Sequence, residues 1–243
     1  MSEFAADLIH HLRQAQSMVV LTGSGISAPS GIPTYRSAAA DARWTAYDPD
    51  KVATLAGFER DPIGVFQVYQ TMQRQCEAAQ PNAGHYAVAQ LEQLMPEFKL
   101  FTQNIDSLHQ RAGSSNVFEV HGSLARTICA HERRLVEDWD AEQPICPACG
   151  SPLRPDIVWF GELLDAAILQ AAKDAFDRSD VALVIGTSAI VEPIASLPHR
   201  ALRRKKTVIE INPDIPLRGI ASYSLAGSAD VVLPRLIEAV WMD

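Results

Sequence analysis

Short runs of apolar, largely β-branched residues recur along the chain and stop abruptly at turn or polar residues. They are Met18–Leu21, Lys99–Thr102, Val117–Val120, Val181–Ile185, Thr207–Ile211 and Asp230–Leu233. Continuous apolar runs bounded by turn signals predict strands buried on both faces, as in a parallel sheet. Elsewhere the period is that of a helix. Ala87, Leu91 and Leu94 mark a helix over 84–95, and Ile168, Leu169, Ala172 and Phe176 mark another over 166–177. Phe4, Leu8, Leu12 and Ala15 also fall at helical spacing. Strands alternating with helices predict a doubly wound α/β fold, whose ligands sit beyond the carboxyl ends of the strands.

Two stretches break the alternation. Residues 37–80 show no strand pattern and read as loop plus helix, and residues 123–159 hold three of the four cysteines. Both predict insertions that form a smaller lobe. The sheet domain is then drawn from 1–36, 81–122 and 160–243, and the lobe from 37–80 and 123–159.

Apolar residues make up 47% and charged residues 21% of the 243-residue chain, the balance of a folded globular protein. Lys and Arg number 21 against 29 Asp and Glu, a formal net charge of −8. Such a chain lacks the broad positive field of non-specific nucleic-acid binding, and no direct nucleic-acid partner is expected. The apolar runs fall far short of the ~20 residues that span a bilayer. Glu3 and Asp7 stand where a signal peptide would carry a basic start and an apolar stretch. No membrane partner is expected. Four cysteines are too few for a disulfide scaffold, so the expected compartment is the reducing cytoplasm, where clustered cysteines suggest metal.

The candidate chemistry follows the strands. Met18–Thr22 runs directly into Gly23-Ser-Gly-Ile-Ser-Ala28, which fits G-x-G-x-x-G/A in its strand-to-turn context. The first glycine permits a tight turn, the second lets backbone approach a pyrophosphate, and free N–H groups are expected to face the anion. The acidic ribose ligand of a dehydrogenase, due roughly 20 residues on, is absent. Asn104 and Asp106 follow a second strand, where short polar residues serve equally as turn formers. His121 follows a third, and its reference pKa of about 6.5 suits a base near neutrality as well as a structural hydrogen bond. Gly186-Thr-Ser188 and Asn212 end two more strands.

Read in order, these segments resemble the sirtuins, the NAD-dependent protein lysine deacylases. The resemblance is carried by Gly23-Ser-Gly-Ile-Ser-Ala-Pro-Ser-Gly-Ile-Pro-Thr-Tyr-Arg36, Gln80-Pro-Asn82 with His85, and Thr102-Gln-Asn-Ile-Asp106. Val120-His-Gly122, Val158-Trp-Phe-Gly-Glu162, Gly186-Thr-Ser188 and Ile211-Asn212 continue it. It covers nearly the whole chain, and the layout is similar to that of the short bacterial sirtuins. Tyr35 stands where the family usually has Phe, and Ser24 where it has Ala.

The resemblance implies a Rossmann-like NAD domain with a small zinc-bearing lobe. It assigns cofactor contacts to Gly23, Ser24, Gly25, Ile26, Ser27, Pro33, Tyr35, Arg36, Gln103, Asn104, Ile105, Asp106, His121, Gly186, Thr187, Ser188, Asn212, Pro213, Asp214 and Ala229. It makes His121, Asn104 and Asp106 catalytic, with His121 the base on a ribose hydroxyl. Tyr35 and the 23–36 loop are suited to exclude water. The implied reaction releases nicotinamide and passes the acyl group from lysine to ADP-ribose. Substrate contacts fall to Tyr69, Met72, Val158, Trp159, Phe160, Gly161, Glu162 and Val191, with the extended 158–162 segment suited to pair with an acyl-lysine peptide or protein by strand addition. The desuccinylase branch carries Tyr-x-x-Arg on the helix over the acyl pocket; here Tyr69 is kept and Met72 replaces Arg, which implies neutral acyl groups.

Cys146-Pro-Ala-Cys149-Gly reads as half a zinc knuckle. Cys129 lies where the family's first pair begins; its partner position holds Glu132, with His131 one residue off register. Three thiolates with an imidazole or a carboxylate complete a tetrahedral set. The expected ligands are Cys129, Cys146, Cys149 and His131 around a structural zinc, against a metal-free lobe. Cys76 reads as core. Protein mono-ADP-ribosylation is the alternative activity; a nucleotide-sensing module and a dehydrogenase fit the residues less well.

Overall fold

The computed structural model describes residues 3–34 and 48–242. Among these residues eight strands form two sheets. In chain order they are β1 (Ser17–Thr22), β2 (Glu97–Thr102), β3 (Val117–Glu119), β4 (Gly122–Cys129), β5 (Leu153–Ile157), β6 (Val181–Ile185), β7 (Thr207–Asn212) and β8 (Tyr223–Ala226). The six-stranded sheet runs β3-β2-β1-β6-β7-β8, every neighbour parallel. Its order reverses between β1 and β6, the place where a doubly wound sheet opens a crevice. The remaining two strands, β4 and β5, pair antiparallel to one another.

The helices are α1 (Ala6–Gln14), α2 (Pro49–Val52), α3 (Leu55–Arg60), α4 (Pro62–Ala78), α5 (Ala83–Leu94), α6 (Leu108–Arg111), α7 (Ala166–Arg178), α8 (Leu197–Arg203) and α9 (Ala229–Ile237). Strand alternation sorts them into two layers. Met18 and Val20 of β1 and Leu183 of β6 pack with Leu8, Leu12, Val88, Leu91, Leu233 and Leu236 from α1, α5 and α9. The intervening Val19, Leu21 and Val184 pack on the other face with Ala172, Phe176, Leu197 and Ala201 from α7 and α8. Each fully buried aliphatic or aromatic side chain contributes about 1.5–3 kcal/mol. A third cluster joins α3 and α4 to β4 and β5 through Phe58, Val65, Tyr69, Met72, Leu124, Ile157 and Trp159. Among the described residues no helix is long and apolar enough to cross a membrane.

The predicted helices over 84–95 and 166–177 match α5 and α7, and five of the six predicted strands form. The sixth, Asp230–Leu233, is helical and lies in α9. Four residues are too few to reveal a period; with Leu236 and Ile237 added, Leu233 belongs to a buried i, i+3, i+4 stripe. The outer strand is β8 instead, a half-buried edge whose mixed Tyr-Ser-Leu-Ala pattern gives little signal.

Helix α5 starts with a capping box. The Asn82 side chain accepts from the helix start, and its backbone N–H donates to His85 Nδ1 at 3.3 Å. The Asn82 amide also donates to the Ile26 carbonyl at 2.8 Å and to Ser30 Oγ at 2.9 Å, fastening the turn after β1 to α5.

At the reversal point the ends of β1 and β6 touch through backbone. Gly23 N–H donates to the Ile185 carbonyl at 3.0 Å and Gly25 N–H to the Gly186 carbonyl at 2.8 Å. A Cβ on Gly25 would lie 2.7 Å from Gly186 Cα, and one on Gly186 2.5 Å from Ile26 N. Gly186 also has a φ of +59°. Gly186→Ala combines a backbone clash with a left-handed φ, so denaturant unfolding should show a loss of about 2 kcal/mol or more. A loss below about 0.5 kcal/mol would mean that the contact relaxes freely.

Candidate active site

The carboxyl ends of β1, β2, β6 and β7 open into a cavity of about 1380 Å³, closed on its far side by α4 and the segment after β5. Gly23, Ser24, Gly25, Pro33, Gln103, Asn104, Ile105, Asp106, His121, Gly186, Thr187, Ser188, Asn212, Pro213 and Asp214 all line it. Ile26 is buried beneath, and Ser27 reaches the site only through its hydroxyl. Ala229 is buried at the start of α9, while its neighbour Ser228 lines the cavity. Tyr35 and Arg36 lie outside the described residues.

Ser27 is the centre of a buried polar network. Its hydroxyl donates to Asp106 Oδ2 at 2.6 Å and accepts from Asn104 Nδ2 at 3.1 Å. His85 Nδ1 is occupied as an acceptor, so its Nε2–H faces Ser27 Oγ at 3.4 Å. Asp106 Oδ1 accepts from Leu108 N–H at 2.9 Å. Burial raises the Asp106 pKa above the usual carboxylate range, against the lowering effect of these bonds. Burial likewise pushes His85 down to about 4 and His109 to about 3, so both rings are neutral. His109 Nε2 meets Thr22 Oγ1 at 2.9 Å, and Thr22 in turn donates to Thr102 Oγ1.

His121 stands apart from this network, on the cavity wall. Its Nδ1 lies 3.1 Å from the Gln103 carbonyl. A carbonyl only accepts, so Nδ1 carries the proton and Nε2 keeps its lone pair. Burial lowers the His121 pKa below the ordinary imidazole value, opposed by the Gln103 bond. Gln103 also binds Thr187 Oγ1 through its side chain at 2.9 Å, and Asn212 Nδ2 donates to the Thr187 carbonyl at 2.8 Å.

The expectation of free N–H groups in the first turn is met poorly. Gly23, Gly25, Ile26 and Ser27 all spend their N–H groups on backbone carbonyls. The reason is the close approach of β6, which takes the donors of Gly23 and Gly25, while the tight turn itself takes the other two.

On the far wall Tyr69 and Met72 share one face of α4, and both line the cavity beside Val158, Trp159, Phe160, Gly161, Glu162 and Val191. Trp159 Nε1 donates to Tyr69 Oη at 3.0 Å. Cys76, expected in the core, belongs to the α4 cluster and also reaches the cavity; burial pushes its thiol up to about 12. Gln75, Leu163 and Ile190 line the wall too and carry no motif that marks them in the sequence. Among the described lining residues there is no Lys or Arg.

A Sir2 family model matches residues 23–193. NAD-dependent protein deacylase 1 of Archaeoglobus fulgidus is 43% identical over 238 residues, covering 96% of each chain. A mutant Sir2 homologue in complex with 2′-O-acetyl ADP-ribose superposes with a TM-score of 0.90 at 42% identity, covering 98% of this chain and 96% of that one. A Sir2–p53 peptide–NAD⁺ complex gives a TM-score of 0.85 at 28% identity, covering 98% and 99%. The chain belongs to the Sir2 family.

Like the cavity, the small lobe of this Sir2 chain gathers residues distant in sequence. One ligand atom each from Cys129, Glu132, Cys146 and Cys149 lies within 4.8 Å of the others. Cys129 Sγ and Cys149 Sγ are 3.4 Å apart, and all four cysteines of the chain are free thiols. His131 is exposed and outside the cluster; Glu132 holds the fourth place because the Cys129 turn aims its N–H at Cys129 Sγ, 3.4 Å away, and brings its side chain round. The Glu132 carboxylate pairs with Arg134. Three thiols and a carboxylate fit a structural zinc, which takes sulfur and oxygen donors in a tetrahedron. Protein prepared without chelator should carry about one equivalent of zinc, and Cys146→Ser should remove it and lower the melting temperature by about 5 °C or more. Less than about a tenth of an equivalent in such protein would show a lobe that holds no ion.

Proposed function

We propose that this Sir2 chain removes acyl groups from protein lysines at the expense of NAD, releasing nicotinamide and O-acyl-ADP-ribose. The observation that carries the reading is His121, fixed as the Nδ1–H tautomer with Nε2 available on the wall of a cavity large enough for a dinucleotide and an acyl-lysine side chain. NAD supplies the ribose carbon that the acyl oxygen attacks and the ribose hydroxyls that take the acyl group. The protein's part is placement and proton transfer. Asn104 and Asp106 are held by Ser27 at the floor, where an amide and a carboxyl group meet a carboxamide or a ribose hydroxyl. Gly186–Ser188, Asn212, Pro213 and Asp214 hold the adenosine half, and His121 removes a proton from a ribose hydroxyl. Residues 158–162 and Val191 receive the acyl-lysine peptide. Residues 159–162 form a turn rather than the extended segment expected, and the N–H groups of Val158, Trp159, Phe160 and Glu162 are bonded within the protein, so strand addition there is left to carbonyls and to Gly161. The NAD domain is assigned 1–36, 81–122 and 160–243, and the lobe 37–80 and 123–159. Four free thiols suit a reducing compartment, and the reading places the enzyme in the cytoplasm.

His121→Ala should lower kcat on an acetyl-lysine peptide by about 10²–10⁴-fold with NAD binding retained. Because burial depresses its pKa, His121 stays neutral through pH 7, and the acid limb of kcat/KM should fall below pH ~6.5. Near-normal turnover by His121→Ala would remove its role as base. NAD consumption without acyl loss would favour mono-ADP-ribosylation instead.

The acyl pocket is expected to take neutral groups. Met72 lines the cavity, whereas Arg74 is not among its lining residues. A succinyl carboxylate there would be desolvated beside Met72 without a partner cation. Wild-type protein should therefore prefer acetyl- and butyryl-lysine to succinyl-lysine. Met72→Arg should raise succinyl kcat/KM relative to acetyl by about tenfold, the effect of one charge-assisted bond. A wild-type preference for succinyl-lysine would reverse the assignment.

A further inference from the structure

Arg154 on β5 is the largest side chain of the described residues to be almost entirely buried, with 1% of its surface exposed. A buried guanidinium persists only where partners replace its water. Its two terminal nitrogens each lie 2.7 Å from one oxygen of Glu162, a two-pronged pair, and one also donates to the Ile157 carbonyl at 2.9 Å. The flat face of the same group stacks on Trp159, 3.5 Å from the ring centroid. Burial alone would raise the Glu162 pKa, yet the Arg154 bonds hold it below the usual value.

These contacts converge on one turn. Glu162 Oε2 also accepts the Trp159 backbone N–H at 2.8 Å, and Glu162 N–H donates to the Trp159 carbonyl at 3.0 Å. The turn between them includes Gly161, at a φ of +88°. Beyond the ring, Trp159 Nε1 binds Tyr69 Oη across to α4. Arg154 itself does not line the cavity; Trp159, Glu162 and Tyr69 do. Among the described residues its partners are Glu162, Ile157, Trp159 and Phe58, none of which belongs to the ends of β1, β2, β6 or β7.

We propose that Arg154 is the positioning residue of the acyl-peptide wall: its two-pronged pair with Glu162 and its stacking on Trp159 fix the 159–162 turn and, through Trp159, the Tyr69 hydroxyl. This rests on the deacylase reading above. An arginine is required because only a planar fork can pair edge-on with a carboxylate while presenting a face to an indole. Its loss misplaces the wall for acyl-peptide and leaves the NAD side as it was.

The test compares KM for an acetyl-lysine peptide and for NAD in wild type, Arg154→Met, Arg154→Lys and Glu162→Gln, each checked for folding by circular dichroism. Arg154→Met should raise the peptide KM about tenfold with the NAD KM within about twofold, as expected for lost charge-assisted bonds on one wall. Arg154→Lys keeps the charge without the fork and should recover only part of the loss. Glu162→Gln keeps the shape of the turn and should raise the peptide KM about threefold, so the proposal is tested even where the Arg154 variants do not fold. An unchanged peptide KM, an equal rise in both KM values, or full recovery by lysine overturns it. A wild-type protein that turns over no acyl-lysine peptide overturns the deacylase reading as well, whereas wild-type turnover with any of those outcomes overturns this proposal alone.

Discussion

The ends of β1 and β6 meet through glycine backbone, and that contact leaves no room for a side chain at the point where the sheet reverses its order. Gly25 and Gly186 sit so close that an added Cβ on either would overlap the other loop. The approach brings Thr187 within reach of Gln103 and Asn212, and it pulls the turn after β1 down onto β6. Ser27 then stands over Asp106 and Asn104 rather than in solvent. Core packing on both faces of the sheet holds the strands at their spacing, but it is the pair of bare backbones that lets four strand ends share one cavity.

That cavity is electrostatically lopsided. Asp106, Glu162, Glu192 and Asp214 line it, and no Lys or Arg does among the described residues. Glu162 is already answered by Arg154, and both oxygens of Asp106 accept hydrogen bonds, from Ser27 and Leu108, while burial raises its pKa. Among the described residues a dinucleotide meets polar side chains and shape more than positive charge, because the glycine turn has spent most of its own N–H groups internally.

Most of this was legible in the sequence where a pattern repeats or a residue is chemically unusual. Strands β1 and β6 announce themselves because burial on both faces demands unbroken apolar runs, and β2, β7 and the half-buried edge strand β3 still carry enough aromatic and β-branched residues to be read. The edge strand β8 does not, since one half-exposed strand of four residues has no such demand. Asp230–Leu233 imitates a strand because its four apolar and acidic residues stop before the helical period can repeat. His121, Asn104 and Asp106 follow strand ends and line the cavity as a motif reading expects. Their supports were less visible. Arg154 looks like an ordinary strand cation until Glu162 and Trp159 are folded over it, and Glu132 looks like a lost ligand until the Cys129 turn carries it to the thiols.

His85 occupies two places at once. Its Nδ1 closes the start of helix α5 by accepting from Asn82, and its Nε2–H faces the Ser27 hydroxyl that anchors Asp106 and Asn104. An imidazole can do both only while neutral. As the pH falls below 6.5 the unfolded chain takes up a proton that the folded chain refuses until about 4, so the native state loses ground across that interval and keeps its full advantage above it. Once the proton is accepted, the helix start loses its acceptor and the floor of the cleft loses its neutral neighbour together. The helix start and the floor of the cleft therefore share a single acid threshold, and neither can be retuned towards lower pH without the other.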